Sequence, residues 1–259
     1  MNLNKAASLS ETLFPVREVP AIENYSKHGL ETGYKFIIRE DTNEILSCMT
    51  DEYRLITNES IHKRINPILE KNGAKLRECS LYSDGKKTVW RYVFPQTKIP
   101  IGKGDICNPE VGIVNSYDGS AELQTWSGAF RLVCSNGLIV GFKLSSSRNK
   151  HSIYNNNINN IEEDIINTIE KTKEILVDSL PLLKETNIKR SHIKKVIEML
   201  PTYAMEPLTQ YLIANNPKTY WDLLNALTYI STHHMGRQRG ATLKLENEIY
   251  PAIMKLAQA

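Results

Sequence analysis

Residues 111–143 read VGIVNSYDGSAELQTWSGAFRLVCSNGLIVGFK, and this stretch decides the fold of the first half of the chain. Two runs rich in β-branched and aromatic residues flank Tyr117-Asp118-Gly119-Ser120, whose residues favour a tight turn. That is the pattern of a β-hairpin. The returning run carries Arg131, Cys134, Ser135 and Asn136 into Gly137, and the strand is expected to continue through 138–142. Small polar residues and a glycine at a strand end place hydrogen-bonding groups at the edge of a sheet. The segment therefore nominates a site as well as an element.

Working outward, the same pattern recurs upstream. Residues 34–39 (YKFIIR) and 45–49 form a hairpin across Asp41-Thr42-Asn43. Asn58 suits an N-cap for a helix over 59–71, with Ile61, Ile65, Ile68 and Leu69 on one face and Asn72-Gly73 at its end. Residues 76–82 pair with 88–94 across Ser83-Asp84-Gly85-Lys86, so Trp90, Tyr92 and Phe94 share one strand face, towards a core or a ligand groove. Residues 1–33 read as an irregular arm, interrupted by Pro15 and Pro20 and closed by Gly29 and Gly33. Residues 95–109 read as a polar loop able to act as a flap.

Downstream the character changes. Residues 145–160 (SSSRNKHSIYNNNINN) read as a linker or surface loop, and 161–259 read as helical. Ile161, Ile165, Thr168, Ile169, Thr172, Leu176 and Leu180 form a long stripe limited by Pro181. Ser191 caps a helix with Ile193, Val196, Ile197 and Leu200 inward, closed by Pro201. A helix follows over 206–214. Thr219, with Asp222 three residues on, caps another that turns Trp221, Leu224, Leu227 and Thr228 inward. A last helix spans 241–256. Strands first and helices after predict an α+β protein: antiparallel hairpins form a sheet over 34–144, and the helical half is expected to pack on or beside it as one integrated domain.

Composition bounds the function classes. The chain has 259 residues, 41% hydrophobic and 24% charged, with a net charge of +3. No apolar run approaches the roughly 20 residues of a membrane helix, and the first residues lack the apolar segment of a secretory signal. The chain reads as cytoplasmic, or as made in a host cytoplasm. Cys48, Cys79, Cys107 and Cys134 form no CxxC pair and read as reduced core thiols.

Several pieces together resemble domain of unknown function family 932, a phage/plasmid-like protein family. They are Thr50-Asp51-Glu52-Tyr53-Arg54 with Asn58, the segment Asn115-Ser116-Tyr117-Asp118-Gly119-Ser120, the run 130–138 (FRLVCSNGL), and 221–229 (WDLLNALTY). Gly137 departs from the threonine often seen there. The resemblance implies a mobile-element protein and brings no established reaction with it.

The residues nominate an anion-binding surface. Arg131 stays charged at any working pH. It either clamps a phosphate or pairs with Asp118 or Glu122 across the hairpin. Asn136 and Gly137 offer planar hydrogen bonding and close backbone approach, or a plain turn. Arg237 and Arg239, between Gly236 and Gly240, read either as cations favoured at a helix C-terminus or as a phosphate-gripping loop. Arg190 and Lys194 fall on one flank of a helix in a basic run with Lys184, Lys189 and Lys195, which is either a solvated face or a contact for a nucleic-acid backbone. Trp90, Tyr92 and Trp126 are either core or base-stacking rings.

The phosphate-loop, HExxH and GxSxG motifs are absent from the sequence, and no cofactor is implied. The expectation is a non-enzymatic single-stranded-DNA-binding protein that assists replication or recombination. One alternative is a factor acting on a host protein through 95–109 and 145–160. Another is a metal-dependent nuclease using Asp51, Glu52, Asp118 and Glu122. The stripe over 161–180 is open to a homo-oligomer seam or to internal packing.

Overall fold

The computed structural model describes residues 5–23, 29–102, 105–131, 137–138, 161–198, 200–234 and 239–259. The chain is α+β, as its pattern predicts, with strands in the first half and helices in the second. Strands β1 (Lys5–Ala7), β2 (Val16–Glu23), β3 (Leu30–Arg39) and β4 (Glu44–Thr50) precede β5 (Lys75–Tyr82) and β6 (Lys87–Val93). They are followed by β7 (Ile99–Gly102), β8 (Asp105–Ser116), β9 (Gln124–Arg131) and β10 (Gly137–Leu138). Helices α1 (Leu9–Thr12) and α2 (Asn58–Lys71) interrupt the strands. Then come α3 (Ile161–Glu185), α4 (Arg190–Ile197), α5 (Thr202–Asn215), α6 (Tyr220–His233) and α7 (Arg239–Ala257).

Among the described residues, β2, β3 and β4 make a three-stranded antiparallel sheet. A seven-stranded sheet runs β1-β5-β6-β8-β9-β10, with β7 also on β8. The hairpins across 41–43 and 83–86 form where their turn residues place them. Asn43, Ser83, Asp84 and Gly85 adopt the positive φ these turns need.

Several expectations are corrected. Within residues 1–33 the described part is not an irregular arm: β1 pairs with β5, α1 carries a Ser8–Glu11 capping box, and β2 runs along β3 from Val16↔Arg39 to Glu23↔Leu30. Pro20 is tolerated because β2 is an edge strand whose register slips between Pro20 and Ile22. The 95–109 segment is not a flap but contains β7 and the start of β8, with Ile99, Cys107 and Asn108 buried. Asn108 holds it by donating its amide to the Phe94 and Thr97 carbonyls, both at 2.9 Å. The strand containing Arg131 does not run on through Gly137: β10 returns antiparallel, with Gly137 opposite Phe130.

Helix ends also move. Thr57, not Asn58, caps α2: its backbone is extended and its hydroxyl accepts the Ser60 N–H at 3.1 Å. Helix α3 continues through Pro181 to Glu185, α4 begins at Arg190, and Pro201 is the N-cap of α5. Gly240 lies inside α7 rather than before it. An interior proline costs a helix about 3 kcal/mol. Leu180 and Leu183, both fully buried beside Pro181, offset that at roughly 1.5–3 kcal/mol each.

The chain forms two compact units. The first comprises Met1–Tyr92, Gly112–Thr125 and Lys143–Asn167. One cluster in its core joins Phe14, Ile37, Leu46, Tyr53 and Tyr117. The Arg39 guanidinium lies 4.0 Å over the Phe14 ring and grips Asp41 through two hydrogen bonds of 2.6 and 2.8 Å. Gly85, at φ +97°, backs this ring so closely that a Cβ would sit 3.0 Å from Phe14 Cζ. The second unit comprises Val93–Val111, Trp126–Phe142 and Thr168–Ala259. Its core is mainly helical, but Ile99 of β7 and Cys107 of β8 belong to the same cluster as Trp221, Leu224, Leu227 and Ile253.

Candidate nucleic-acid interface

Helix α4 is short and two-faced. His192 and Val196 turn inward, and the His192 imidazole Nδ1 lies 2.6 Å from the Tyr220 hydroxyl. Lys189, Arg190, Lys194 and Lys195 are exposed on the other side. Arg190 and Lys194 thus share the flank that helical spacing predicts for them. Asn187 bridges to Thr219, and the Ile188 N–H donates to the Lys218 carbonyl, which brings exposed Lys218 beside the approach to α4.

In the first unit, Lys35 pairs with Glu18, Arg39 with Asp41, and Lys63 with Glu59. No such pair forms at Lys189, Arg190, Lys194, Lys195 or Lys218 among the described residues. Lys189 is the N-cap of α4 and supplies no side-chain cap, so the first amide N–H groups lack that partner. Cations at a helix N-terminus oppose its dipole, and Arg190 and Lys194 repel at i,i+4 spacing by about 0.2–0.5 kcal/mol. An anion seated there relieves both costs.

The rings lie elsewhere. Trp90 is completely buried and its indole N–H donates to Thr12 Oγ1 at 3.0 Å. Tyr92 is 1% exposed, with its hydroxyl 3.4 Å from His62 Nδ1, and burial pushes its phenol well above the ordinary tyrosine range. Trp126 is 4% exposed. None of the three presents a ring face to solvent for a base to stack on. The alternation of Trp90 and Tyr92 reports packing, because β6 lies between β5 and β8 inside the larger sheet. Tyr203, in the first turn of α5, is by contrast 63% exposed. No sequence pattern singles it out, since exposure is set by what the other helices leave uncovered.

Asn136 and Arg237 lie outside the described residues, as do the side chains of Arg131 and Arg239. The 145–160 segment lies outside them too. Asp51 and Glu52 are exposed, and Asp118 accepts the Ser120 N–H at 2.9 Å within its own turn. No group of three or more His, Cys, Asp or Glu side chains able to hold a metal ion occurs among the described residues. Cys79 and Cys107 are buried, with burial pushing the Cys79 thiol up to about 11, whereas Cys48 is exposed on β4 rather than in a core, and Cys134 lies outside the described residues.

A second polar centre, deep in the first unit, joins two motifs far apart in sequence. Tyr53 donates its hydroxyl to the Ser116 carbonyl at 3.1 Å, and the Asn58 N–H donates to the Tyr117 hydroxyl at 2.8 Å. Asn115 donates its amide to the Ile56 carbonyl and to Asn58 Oδ1, at 3.1 and 2.8 Å. Asn58 in turn donates to the Thr12 carbonyl and Thr88 Oγ1. Asn115 is therefore an interior residue. Residues 45–250, which contain both motifs and α4, match the family described as Domain of unknown function (DUF932). The chain belongs to the DUF932 family. No solved structure matches it. In this DUF932 protein the 50–58 and 115–120 motifs fasten the start of α2 to the end of β8, and the 221–229 motif supplies buried residues of α6. These three motifs therefore hold the fold, and the 130–138 motif lies mostly outside the described residues. No helix among the described residues is long and apolar enough to cross a membrane.

Proposed function

We propose that this DUF932 protein is a non-enzymatic nucleic-acid-binding protein of a phage or other mobile element, acting in the cytoplasm on single-stranded DNA during replication or recombination. The observation that carries the reading is the unpaired basic face of α4, with Lys189 and Arg190 at an N-terminus that lacks a side-chain cap. Arg190 and Lys194 hold backbone phosphates, joined by Lys189, Lys195 and Lys218. Phosphate contacts of this kind supply affinity without sequence preference. Tyr203 replaces Trp90, Tyr92 and Trp126 as the ring available for stacking, because it is the one of these four that solvent reaches.

Fluorescence anisotropy with a labelled single strand and the matching duplex, titrated with salt, tests this. Binding is expected to weaken linearly in log–log form, with a slope of about −0.7 per phosphate contact on single strands. The double variant Arg190→Glu, Lys194→Glu is expected to lower affinity at least tenfold and flatten the slope by about 1.4, two contacts' worth. Absence of binding at low salt, or a double variant with unchanged slope, overturns the proposal.

A further inference from the structure

The first unit holds a cleft of about 460 Å³ beside α2 that plays no part in the α4 reading. One wall is a stripe of polar side chains, His62, Asn66 and Glu70, on successive turns of α2 about 6 Å apart along its axis. The remainder is largely apolar: Leu9 of α1, Ala74 and Leu76, with the buried Tyr92 behind them. Lys75 stands among the lining residues at the start of β5.

The polar wall is not used by the fold. His62 reaches Tyr92 only weakly, at 3.4 Å. Burial holds the imidazole below its ordinary value despite the opposing pull of Glu70. The Asn66 amide and the Glu70 carboxylate have no side-chain partner among the described residues. A carboxamide presents a donor and an acceptor in one plane, and a carboxylate only accepts. Together they match an edge carrying an exocyclic amine beside a ring nitrogen. Asn pairs in this way with the amine and ring nitrogen of adenine, and an acidic side chain accepts from the amine of cytosine. The apolar lining suits the faces of a flat ring.

We propose that this cleft binds an amino-bearing nucleobase, adenine or cytosine, with Asn66 and Glu70 reading its amine edge and Leu9 and Leu76 enclosing its faces. The base arrives either as a free nucleoside or on a strand. The shared chemistry is the amine edge, and the inference does not rest on the phosphate-binding role of α4.

Saturation-transfer NMR on the full chain tests it, with adenosine, cytidine, inosine and uridine as probes, and with a short oligoadenylate to separate the two sources. Adenosine or cytidine is expected to bind with Kd near or below about 1 mM, and its counterpart lacking the amine, inosine or uridine, at least tenfold more weakly. Asn66→Ala and Glu70→Gln are each expected to weaken binding about tenfold. Leu76→Trp, which fills the cleft while the fold persists by thermal melting, is expected to abolish it. Oligoadenylate binding tighter than adenosine marks a strand as the source, and equal affinity marks the nucleoside; either supports the site. The Arg190→Glu, Lys194→Glu variant is expected to bind nucleosides normally, which separates this inference from the α4 reading. Equal binding of the amine-bearing and amine-lacking probes, no transfer to any probe at about 10 mM, or unchanged affinity in Asn66→Ala overturns the inference.

Discussion

Asn58 is the residue on which most of the first unit's polar interior converges. It is fully buried, donates to the Thr12 carbonyl at 2.7 Å and to Thr88 Oγ1 at 2.9 Å, and accepts from Asn115. Its backbone N–H is taken by the Tyr117 hydroxyl, whose phenol burial pushes well above its ordinary range and so keeps protonated. Removing the carboxamide strands three buried partners at once, and each unsatisfied group costs about 1–3 kcal/mol. Asn58→Ala is expected to lower unfolding stability by about 3 kcal/mol, read from urea denaturation with an unchanged m-value. A loss below about 0.5 kcal/mol, the range of ordinary surface substitutions, contradicts this account of the network. As a sequence letter Asn58 resembles a helix cap, because cap preference is local. Its real role depends on residues 12, 88, 115 and 117, which no local pattern connects.

At the scale of elements, α6 shows how a legible local signal becomes an energy. Thr219 and Asp222 form the expected capping box: Asp222 N–H donates to Thr219 Oγ1 at 3.2 Å, and the Asp222 carboxylate accepts the Thr219 N–H at 3.0 Å. Burial pushes the Asp222 carboxyl up, but the hydrogen bonds from the Thr219 and Lys218 amides and the Thr219 hydroxyl prevail and hold it below the ordinary 3.8. The ionised form is thus favoured by folding. Its contribution is complete above the ordinary aspartate range and is lost as pH falls through the lower, folded value. Asp222→Ala is expected to cost about 1 kcal/mol at pH 7, with the difference from wild type shrinking steadily below about pH 4 in parallel urea titrations. A cost that does not change with acidity assigns the loss to packing instead. Helix α4 is the opposite case. Its spacing foretells which side chains share a flank, but only the exposed face and its lack of carboxylates distinguish it from an ordinary solvated helix.

At the scale of the whole molecule, the two units are interleaved along the chain rather than laid end to end. The helical core of the second unit includes Ile99 and Cys107, which lie more than fifty residues before α3 in the sequence. A fragment of residues 161–259 lacks these and leaves the apolar residues they cover open to water. It is expected to show helical far-UV circular dichroism without a cooperative thermal transition, whereas the full chain melts sharply. A sharp melt of the fragment alone contradicts the shared core. The fold class, most hairpins, the α2 face and the α6 cap were legible in the sequence, because alternation, helical period and capping are written in neighbouring residues. The arm, the 95–109 segment and the helix through Pro181 were misread, because their form is set by distant partners: β3 for β2, the second unit's core for β7, and buried leucines for the proline. Single residues and short spacings determined which elements this chain makes and where its charges recur. Tertiary structure alone decided that Trp90, Tyr92 and Trp126 are interior, that Asn58 and Asn115 meet, and that Lys189, Arg190, Lys194 and Lys195 lack carboxylate partners among the described residues, since burial and pairing are properties of contacts between segments that the sequence keeps apart.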